Sequence, residues 1–153
     1  GDPDQRPDPG RLIMPYLPES MPFPVPPLDA RRFWDYCAER RLMFQACADC
    51  GQLRHPPTPV CPACRSGAET WIDAPAVGEV YSYTVVHHSS HESVAGALPY
   101  NVVLITFPGM AGVRLVSNLV DVAPGELAIG IAVELAWEPA GDGLWLPRFK
   151  RKR

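Results

Sequence analysis

Five cysteines lie close together in the first half of the chain, and four of them form two Cys-x-x-Cys pairs. The pairs are Cys47 with Cys50 and Cys61 with Cys64, and ten residues separate them. Two thiolates three positions apart can bind one ion from a single turn, and a second pair completes a tetrahedral sulfur shell. A closed shell leaves no position for a substrate, so the predicted cofactor is a structural zinc ion. Iron bound by the same four sulfurs and a pair of disulfides are the alternatives.

The residues after each pair bear on the shape of the two turns. Gly51 follows the first pair and can adopt the positive φ that such a turn requires, whereas Arg65 follows the second pair and weakens that turn. The fifth cysteine, Cys37, is spaced with the apolar residues of a predicted helix. We interpret it as a small buried hydrophobe.

A histidine-rich loop is the second candidate for chemistry. His87, His88 and His91 lie within five residues, and histidine can bind a metal or act as a general base near neutral pH. The sequence has no nucleophile-elbow motif, no phosphate-binding glycine loop and no pair of catalytic carboxylates. We therefore expect a solvated polar loop and no catalytic activity of the chain alone.

Composition and charge disfavour several classes of protein. Of 153 residues 46% are apolar and 20% are charged, and the formal net charge is −3. The last six residues hold five of the 14 basic groups, so the other 147 carry 9 basic and 17 acidic groups, a charge of −8. This balance disfavours nucleic-acid binding. The longest mainly apolar run, 102–107, is too short to span a membrane and the first residues show no signal-peptide pattern, so we expect a cytoplasmic protein with no membrane contact.

The chain divides into five predicted regions. The first 27 residues contain nine of the 19 prolines, and the sequence starts with Gly1, which leads us to expect a segment of a longer protein. The predicted regions are a proline-rich arm or linker (1–28), a helix (29–43), a zinc ribbon (44–73), a barrel (74–149) and a basic tail (150–153).

The period of the apolar residues changes along the chain. Helical spacing of Phe33, Trp34, Cys37, Ala38 and Leu42 predicts an amphipathic helix from Ala30 to Leu42. Beyond Val77, segments rich in Val, Ile, Tyr and Thr predict five strands, at 79–87, 101–107, 112–119, 132–138 and 144–149. The predicted fold is mainly β, with an N-terminal helix, a zinc ribbon and a small closed barrel of the OB type; a five-stranded sandwich fragment is the alternative.

Several segments together resemble a known family. They are Arg32-Phe33-Trp34, Cys47-Ala48-Asp49-Cys50-Gly51, Pro56-Pro57, Cys61-Pro62-Ala63-Cys64, Gly78 to Val85, Pro99-Tyr100, Ile129-Gly130 and Leu146-Pro147-Arg148-Phe149. In order and spacing, residues 28–149 resemble the zinc-ribbon/OB-fold family of acyl-CoA-associated accessory proteins. The resemblance implies a rubredoxin-like zinc ribbon followed by a five-stranded OB-fold barrel.

The resemblance also implies a partner. Members of this family usually work as partners of thiolase-superfamily enzymes. The domain occurs as a separate chain, fused behind a hot-dog-fold enoyl-CoA hydratase, or bound to a lipid-transfer-type thiolase or aldolase in sterol side-chain degradation. By resemblance, this chain is an accessory subunit that supports a steroid-CoA aldolase during retro-aldol C–C cleavage. Because thiolase-type enzymes are usually homodimers, we expect a heterotetramer of two plus two.

Two sets of residues are candidates for binding. Acyl-CoA requires cationic groups for its phosphates and an aromatic or apolar surface for the rest of the molecule. The candidate CoA-binding residues are Arg114, Arg148, Lys150 and Arg151. The candidate partner interface comprises Phe33, Trp34, Tyr81, Tyr83, His87 and His88.

Two other classes of function stay open on the sequence alone. An OB barrel can bind single-stranded nucleic acid through aromatic side chains and a basic groove. A pure scaffold would assemble a thiolase or hydratase complex without contacting the substrate. Oligonucleotide binding that persists without the basic tail would favour the first class, and a lack of acyl-CoA binding would favour the second.

Overall fold

The computed structural model describes residues 14–22 and 25–153. The expectation of an arm over 1–28 therefore lies partly outside the described residues, at 1–13 and 23–24. In the described part of the chain, one α-helix, α1 (Arg31–Ala38), follows a short 3-10 turn. Nine strands follow it there: β1 (Met43–Cys47), β2 (Leu53–Arg54), β3 (Glu69–Asp73), β4 (Val77–Val86), β5 (Tyr100–Thr106), β6 (Leu115–Ser117), β7 (Leu119–Val120), β8 (Ala132–Pro139) and β9 (Trp145–Arg151). Within the described ranges, no helix has the length and apolar character needed to cross a membrane.

The first sheet is antiparallel and has the strand order β2-β1-β3. β1 lies in the centre, where it pairs with β2 through Gln45 and Ala46 and with β3 along its whole length. All five residues of β1 are buried. Because β1 ends at Cys47, the first cysteine pair begins where the buried strand stops, and the sheet fixes the position of that turn.

The second sheet has six strands in the order β6-β5-β4-β8-β9-β7. Neighbouring strands are antiparallel except β7 and β9, which run parallel. The mainly β architecture with a helix, a ribbon and an OB-type sheet is confirmed. The closed five-stranded barrel is not formed as predicted: the single strand predicted over 112–119 is divided into β6, which pairs with β5, and β7, which pairs with β9 at the other end of the strand order.

Asn118 lies between these two edge strands and explains the division. Its main-chain oxygen accepts the N–H of Phe149 on β9 at 3.2 Å, and its side chain donates to the main-chain oxygen of Asn101. The side chain of Asn101 in turn accepts the N–H of Leu119 at 2.8 Å. These bonds let the chain leave its pairing with β5 and join β9 within one residue.

Helix, ribbon and second sheet share one hydrophobic core. Phe33 and Cys37 of α1 are buried in the same cluster as Phe44 of β1 and Phe107 and Phe149 of the second sheet. The ring centroids of Phe44 and Phe107 are 5.3 Å apart, and those of Phe107 and Phe149 are 6.0 Å apart. The apolar stripe of the helix therefore packs within the chain.

The helix is shorter than its apolar period indicates. It ends at Ala38 because Arg40 adopts a φ of 56°, so that the N–H of Arg40 reaches the oxygen of Cys37 at 2.8 Å. The N–H of Arg41 bonds the oxygen of Tyr36 at 2.9 Å, which completes the end of the helix. Leu42 lies beyond the helix and is still buried in the core.

Candidate functional site

The four paired cysteines converge on one point of the ribbon. The Sγ atoms of Cys47 and Cys64 are 3.5 Å apart, those of Cys50 and Cys61 are 3.7 Å apart, and all four lie within 4.8 Å of one another. A tetrahedral zinc ion with Zn–S bonds of about 2.3 Å separates its sulfur ligands by about 3.8 Å. The four thiols are free, and their spacing fits a metal ion rather than disulfide bonds.

The two turns that carry the cysteines have matching geometry. The N–H of Gly51 bonds the oxygen of Cys47, and the N–H of Arg65 bonds the oxygen of Cys61, each at 2.9 Å. Gly51 has a φ of 78° and Arg65 a φ of 64°. Both turns therefore contain a left-handed residue after the second cysteine, as predicted, and at Arg65 that conformation costs about 1 kcal/mol.

Main-chain N–H groups prepare two of the thiols for a metal. The main-chain N–H groups of Cys50 and Asp49 donate to the sulfur of Cys47 and lower its pKa to about 6. Main-chain bonds from Cys64 and Ala63 likewise lower the pKa of Cys61. The thiolate is the ligating form, so these residues fit a structural zinc ion. By contrast, burial raises the pKa of Cys37 to about 12, in agreement with its interpretation as a buried hydrophobe.

A cleft of about 320 Å³ lies between the ribbon and the second sheet, and we call it the ribbon cleft. It brings together four residues that the sequence analysis assigned to two different roles: Phe33, Trp34, Arg114 and Arg148. Phe33 is only 4% exposed and belongs to the core, so of the two aromatic residues Trp34 offers the larger accessible surface. In this cleft two candidates for the partner interface therefore lie beside two candidates for CoA binding.

Arg114 and Arg148 differ in how much of their charge is available. The guanidinium of Arg114 lies 4.1 Å from the ring centroid of Tyr81 and is exposed. Arg148 donates from Nε to Glu138 at 2.9 Å and from Nη1 to Asn118 at 2.6 Å. Because this ion pair is nearly buried, Arg114 is the stronger candidate for an anionic ligand.

The other basic candidates lie further along β9. The Nζ of Lys150 is 3.2 Å from a carboxylate oxygen of Glu134, and Arg151 donates to the main-chain oxygen of Glu126 at 2.9 Å. Neither residue lines the ribbon cleft. These two residues therefore bind elements of the second sheet and its loops, and the basic end of the chain is partly neutralised.

The remaining interface candidates are exposed around β4 and the loop after it. Tyr81 and Tyr83 are 44% and 39% exposed, and a bulge in the pairing of β4 with β5 occurs at Tyr81. His87 and His88 follow the strand and are exposed as well. His91 bonds Ser93 and begins a short 3-10 helix, so its ring supports the loop.

His55 was not identified from the sequence. Its ring packs between Phe33 and Phe44, with centroid separations of 4.9 and 5.2 Å, and burial lowers its pKa to about 4. Its Nδ1 is buried without a hydrogen-bond partner. Nothing in the local sequence except the following proline, Pro56, marks this position. Neither the charge pattern nor the spacing of apolar residues indicates that the histidine ring packs between two phenylalanines.

Together, the ribbon, the four-cysteine site and the OB-type sheet define a zinc-ribbon/OB-fold protein. Residues 34–70 match the family model of the ChsH2 rubredoxin-like zinc ribbon domain, and residues 71–138 match that of the ChsH2 C-terminal OB-fold domain. A DUF35 domain-containing scaffold protein of Methanocaldococcus jannaschii is 31% identical over 79% of this chain and 88% of its own length. The chain belongs to this ChsH2/DUF35 family.

Two further relatives are informative. A probable enoyl-CoA hydratase alpha subunit of Thermomonospora curvata is 45% identical over 77% of this chain, which spans only 36% of the length of that relative. A solved structure described as an Ltp2-ChsH2(DUF35) aldolase contains a chain that is 40% identical. The match covers 84% of this chain and 98% of that one, with a TM-score of 0.75.

Proposed function

We propose that this chain is a scaffold subunit that binds and supports a thiolase-like aldolase of the Ltp2 type. The observation that carries the proposal is the match to nearly the whole length of the ChsH2(DUF35) chain in the solved aldolase. The metal site supports it, because four sulfur ligands form a closed shell that holds structure and offers no position for a substrate. A scaffold role requires this kind of rigid element.

The chemistry of the complex belongs to the partner in this proposal. The aldolase would catalyse retro-aldol C–C cleavage of a steroid acyl-CoA in sterol side-chain degradation, in the cytoplasm, and this chain would contribute no catalytic residue. A partner that is itself a homodimer would bind two copies of the scaffold, in a closed heterotetramer of two plus two.

The partner surface that we favour is a patch formed by Tyr81, Arg114 and Val116, whereas Tyr83 pairs with Val103 on the opposite face of the sheet. Val116 is 62% exposed on edge strand β6. Arg114, two residues before Val116, stacks on the ring of Tyr81. Aromatic and arginine side chains are enriched at the energetic centres of interfaces. His87 and His88 extend the patch along the chain, and Trp34 borders it through the ribbon cleft.

A contribution to acyl-CoA binding is the finer part of the proposal. Arg114 supplies an exposed cation next to an apolar cleft. This combination suits acyl-CoA, in which phosphates are attached to a long and largely uncharged chain. Arg148 is less suited because Glu138 already neutralises it. If this chain contacts acyl-CoA, the isolated zinc-loaded chain should bind acyl-CoA and Arg114→Ala should weaken that binding, whereas a pure scaffold would not bind acyl-CoA by itself.

Co-expression with the Ltp2-type aldolase of the same host tests the proposal. We expect the two proteins to elute together in size-exclusion chromatography, and we expect Tyr81→Ala to weaken the complex by at least about tenfold. Ile72→Ala is the matched control, because Ile72 is 42% exposed on the ribbon strand β3. Separate elution of the wild-type proteins would reject the partner, whereas equal effects of the two variants would reject only the patch.

A further inference from the structure

A second and larger cavity, of about 580 Å³, lies between the described part of the arm and the second sheet. We call it the arm cavity. Its walls are mainly apolar and include Leu17, Pro18 and Met21 of the arm, Trp34 of α1, and Ala140 and Leu146 of the β8–β9 hairpin. Cavities of 300 to 1,000 Å³ with apolar walls and a few polar groups are typical of small-molecule sites.

The arm is held over this cavity by hydrogen bonds of the main chain and the side-chain hydroxyl of Tyr16. The main-chain N–H of Tyr16 donates to Oε2 of Glu138 at 3.2 Å, and the Oη of Tyr16 accepts the N–H of Asn101 at 2.9 Å. Further along, the hydroxyl of Ser93 lies 3.0 Å from the sulfur of Met21. The arm is therefore a wall of the cavity, fixed at two points of the second sheet and at the loop before β5.

The polar part of the cavity is a nearly buried ion pair. The side chains of Glu138 and Arg148 are 6% and 12% exposed, and both residues line the cavity. Oε2 of Glu138 and Nε and Nη1 of Arg148 have partners, but Oε1 and Nη2 make no hydrogen bond within residues 14–22 and 25–153. One acceptor of the carboxylate and one donor of the guanidinium are thus left without a partner on two ion-paired residues that line the cavity.

We propose that the arm cavity binds a neutral, largely apolar small molecule that carries one hydroxyl or carboxamide group. Such a group both donates and accepts, so it can bond Oε1 of Glu138 and Nη2 of Arg148 together. The apolar body of the ligand would contact Leu17, Met21, Trp34 and Leu146. This site requires no partner protein and is independent of the scaffold proposal.

Charge and access argue for this class of ligand over others. The ion pair has no net charge, so a charged ligand would lose its hydration at an apolar site without a free counter-charge. Glu19 at the rim is exposed and further disfavours a carboxylate. A peptide segment of a partner would need to displace the arm, which the bonds of Tyr16 oppose.

Titration of the zinc-loaded 153-residue chain, followed by NMR of its amide groups, tests the proposal. The probes are octan-1-ol and octanamide, with octanoate and octylammonium as charged analogues of the same length. We expect the neutral probes to shift the signals of Tyr16, Ala140 and Gly141 and to bind at least about tenfold more tightly than either charged probe. Tighter binding of a charged probe, or no shift at these residues, would overturn the proposal.

Two variants separate binding in the cavity from weak binding elsewhere. Ala140→Met fills the cavity from the hairpin and should abolish the shifts, whereas Ala128→Met adds the same side chain at an exposed position outside it. Leu17→Ala removes an apolar contact from the arm and should weaken binding. This second variant tests the site independently of any disturbance of the hairpin by Ala140→Met. Unchanged affinity in both Ala140→Met and Leu17→Ala would refute the site.

Discussion

His55 is the residue whose surroundings make the clearest prediction about pH. Its ring is packed between Phe33 and Phe44 with Nδ1 unpaired, and burial lowers its pKa from the ordinary 6.5 to about 4. The unfolded chain therefore takes up a proton near pH 6.5 that the folded chain does not. The stability supplied by the neutral ring is complete above pH 6.5 and is lost as the pH falls toward 4.

Between pH 7.5 and pH 5.0, we expect this histidine to lower the free energy of unfolding by about 2 kcal/mol. Urea unfolding of the zinc-loaded protein at the two pH values measures the loss. In His55→Phe, which preserves ring packing without a titrating group, this part of the loss should vanish. An identical pH dependence in the variant would show that other groups cause it.

At the scale of single residues, the sequence predicts a site when the signal is local. The cysteine pairs and Gly51 are such a case, since spacing and one turn determine where the sulfurs point. The ion pair of Glu138 and Arg148 is not, because the two residues meet only through the pairing of β8 and β9. Arg148 was accordingly assigned to a basic, ligand-binding end of the chain, although its charge is largely neutralised.

Among the elements, the start of β4 is the most tightly constrained by packing. A Cβ atom at Gly78 would lie 2.7 Å from the main-chain oxygen of Thr106 and 2.7 Å from a methyl group of Ile105. A main-chain oxygen in a paired strand cannot move away at low cost. We expect Gly78→Ala to lower the free energy of unfolding by about 2 kcal/mol, measured by urea denaturation.

Gly96 provides the matched control for this substitution. A Cβ atom at Gly96 would meet no atom within 4 Å, so Gly96→Ala should change stability by less than about 0.5 kcal/mol. A loss at Gly96 equal to that at Gly78 would mean that the contact with β5 is not the cause. A stable Gly78→Ala variant would mean that β4 and β5 can move apart.

The sequence predicted the elements well where their period is clear, and it failed where distant residues decide. The strands β4, β5, β8 and β9 lie within a few residues of their predicted bounds. The division of the third predicted strand at Asn118 depends on Asn101 and Phe149, which lie far away in the sequence. Likewise, the early end of α1 depends on the conformation of Arg40, which the apolar period does not reflect.

For the whole molecule, the shared core links the metal site to the second sheet. Phe33 and Phe44 pack on one side of the core and Phe107 on the other, so loss of the ribbon exposes apolar surface of the sheet. Structural zinc contributes on the order of 10 kcal/mol to the folding of small domains. We expect a chelator to lower the melting temperature of the entire chain, as followed by circular dichroism and tryptophan fluorescence.

Substitution of single cysteines provides the control for metal removal. Cys64→Ala should lose zinc and melt like the chelated protein, whereas Cys37→Ala should keep about one zinc ion per chain because Cys37 is outside the cluster. Metal analysis of both variants measures this directly. Retention of zinc by Cys64→Ala, or a second sheet whose melting does not change on chelation, would contradict the link.

The mass of the complex decides whether this chain is, as we propose, the scaffold of a thiolase-like aldolase. The chain and the Ltp2-type aldolase of its host would be purified separately, mixed in equal amounts and analysed by size-exclusion chromatography with light scattering. We expect one species with the mass of two scaffold and two aldolase chains. Two separate peaks, with zinc bound and both proteins folded, would show that the chain is not the scaffold of this aldolase.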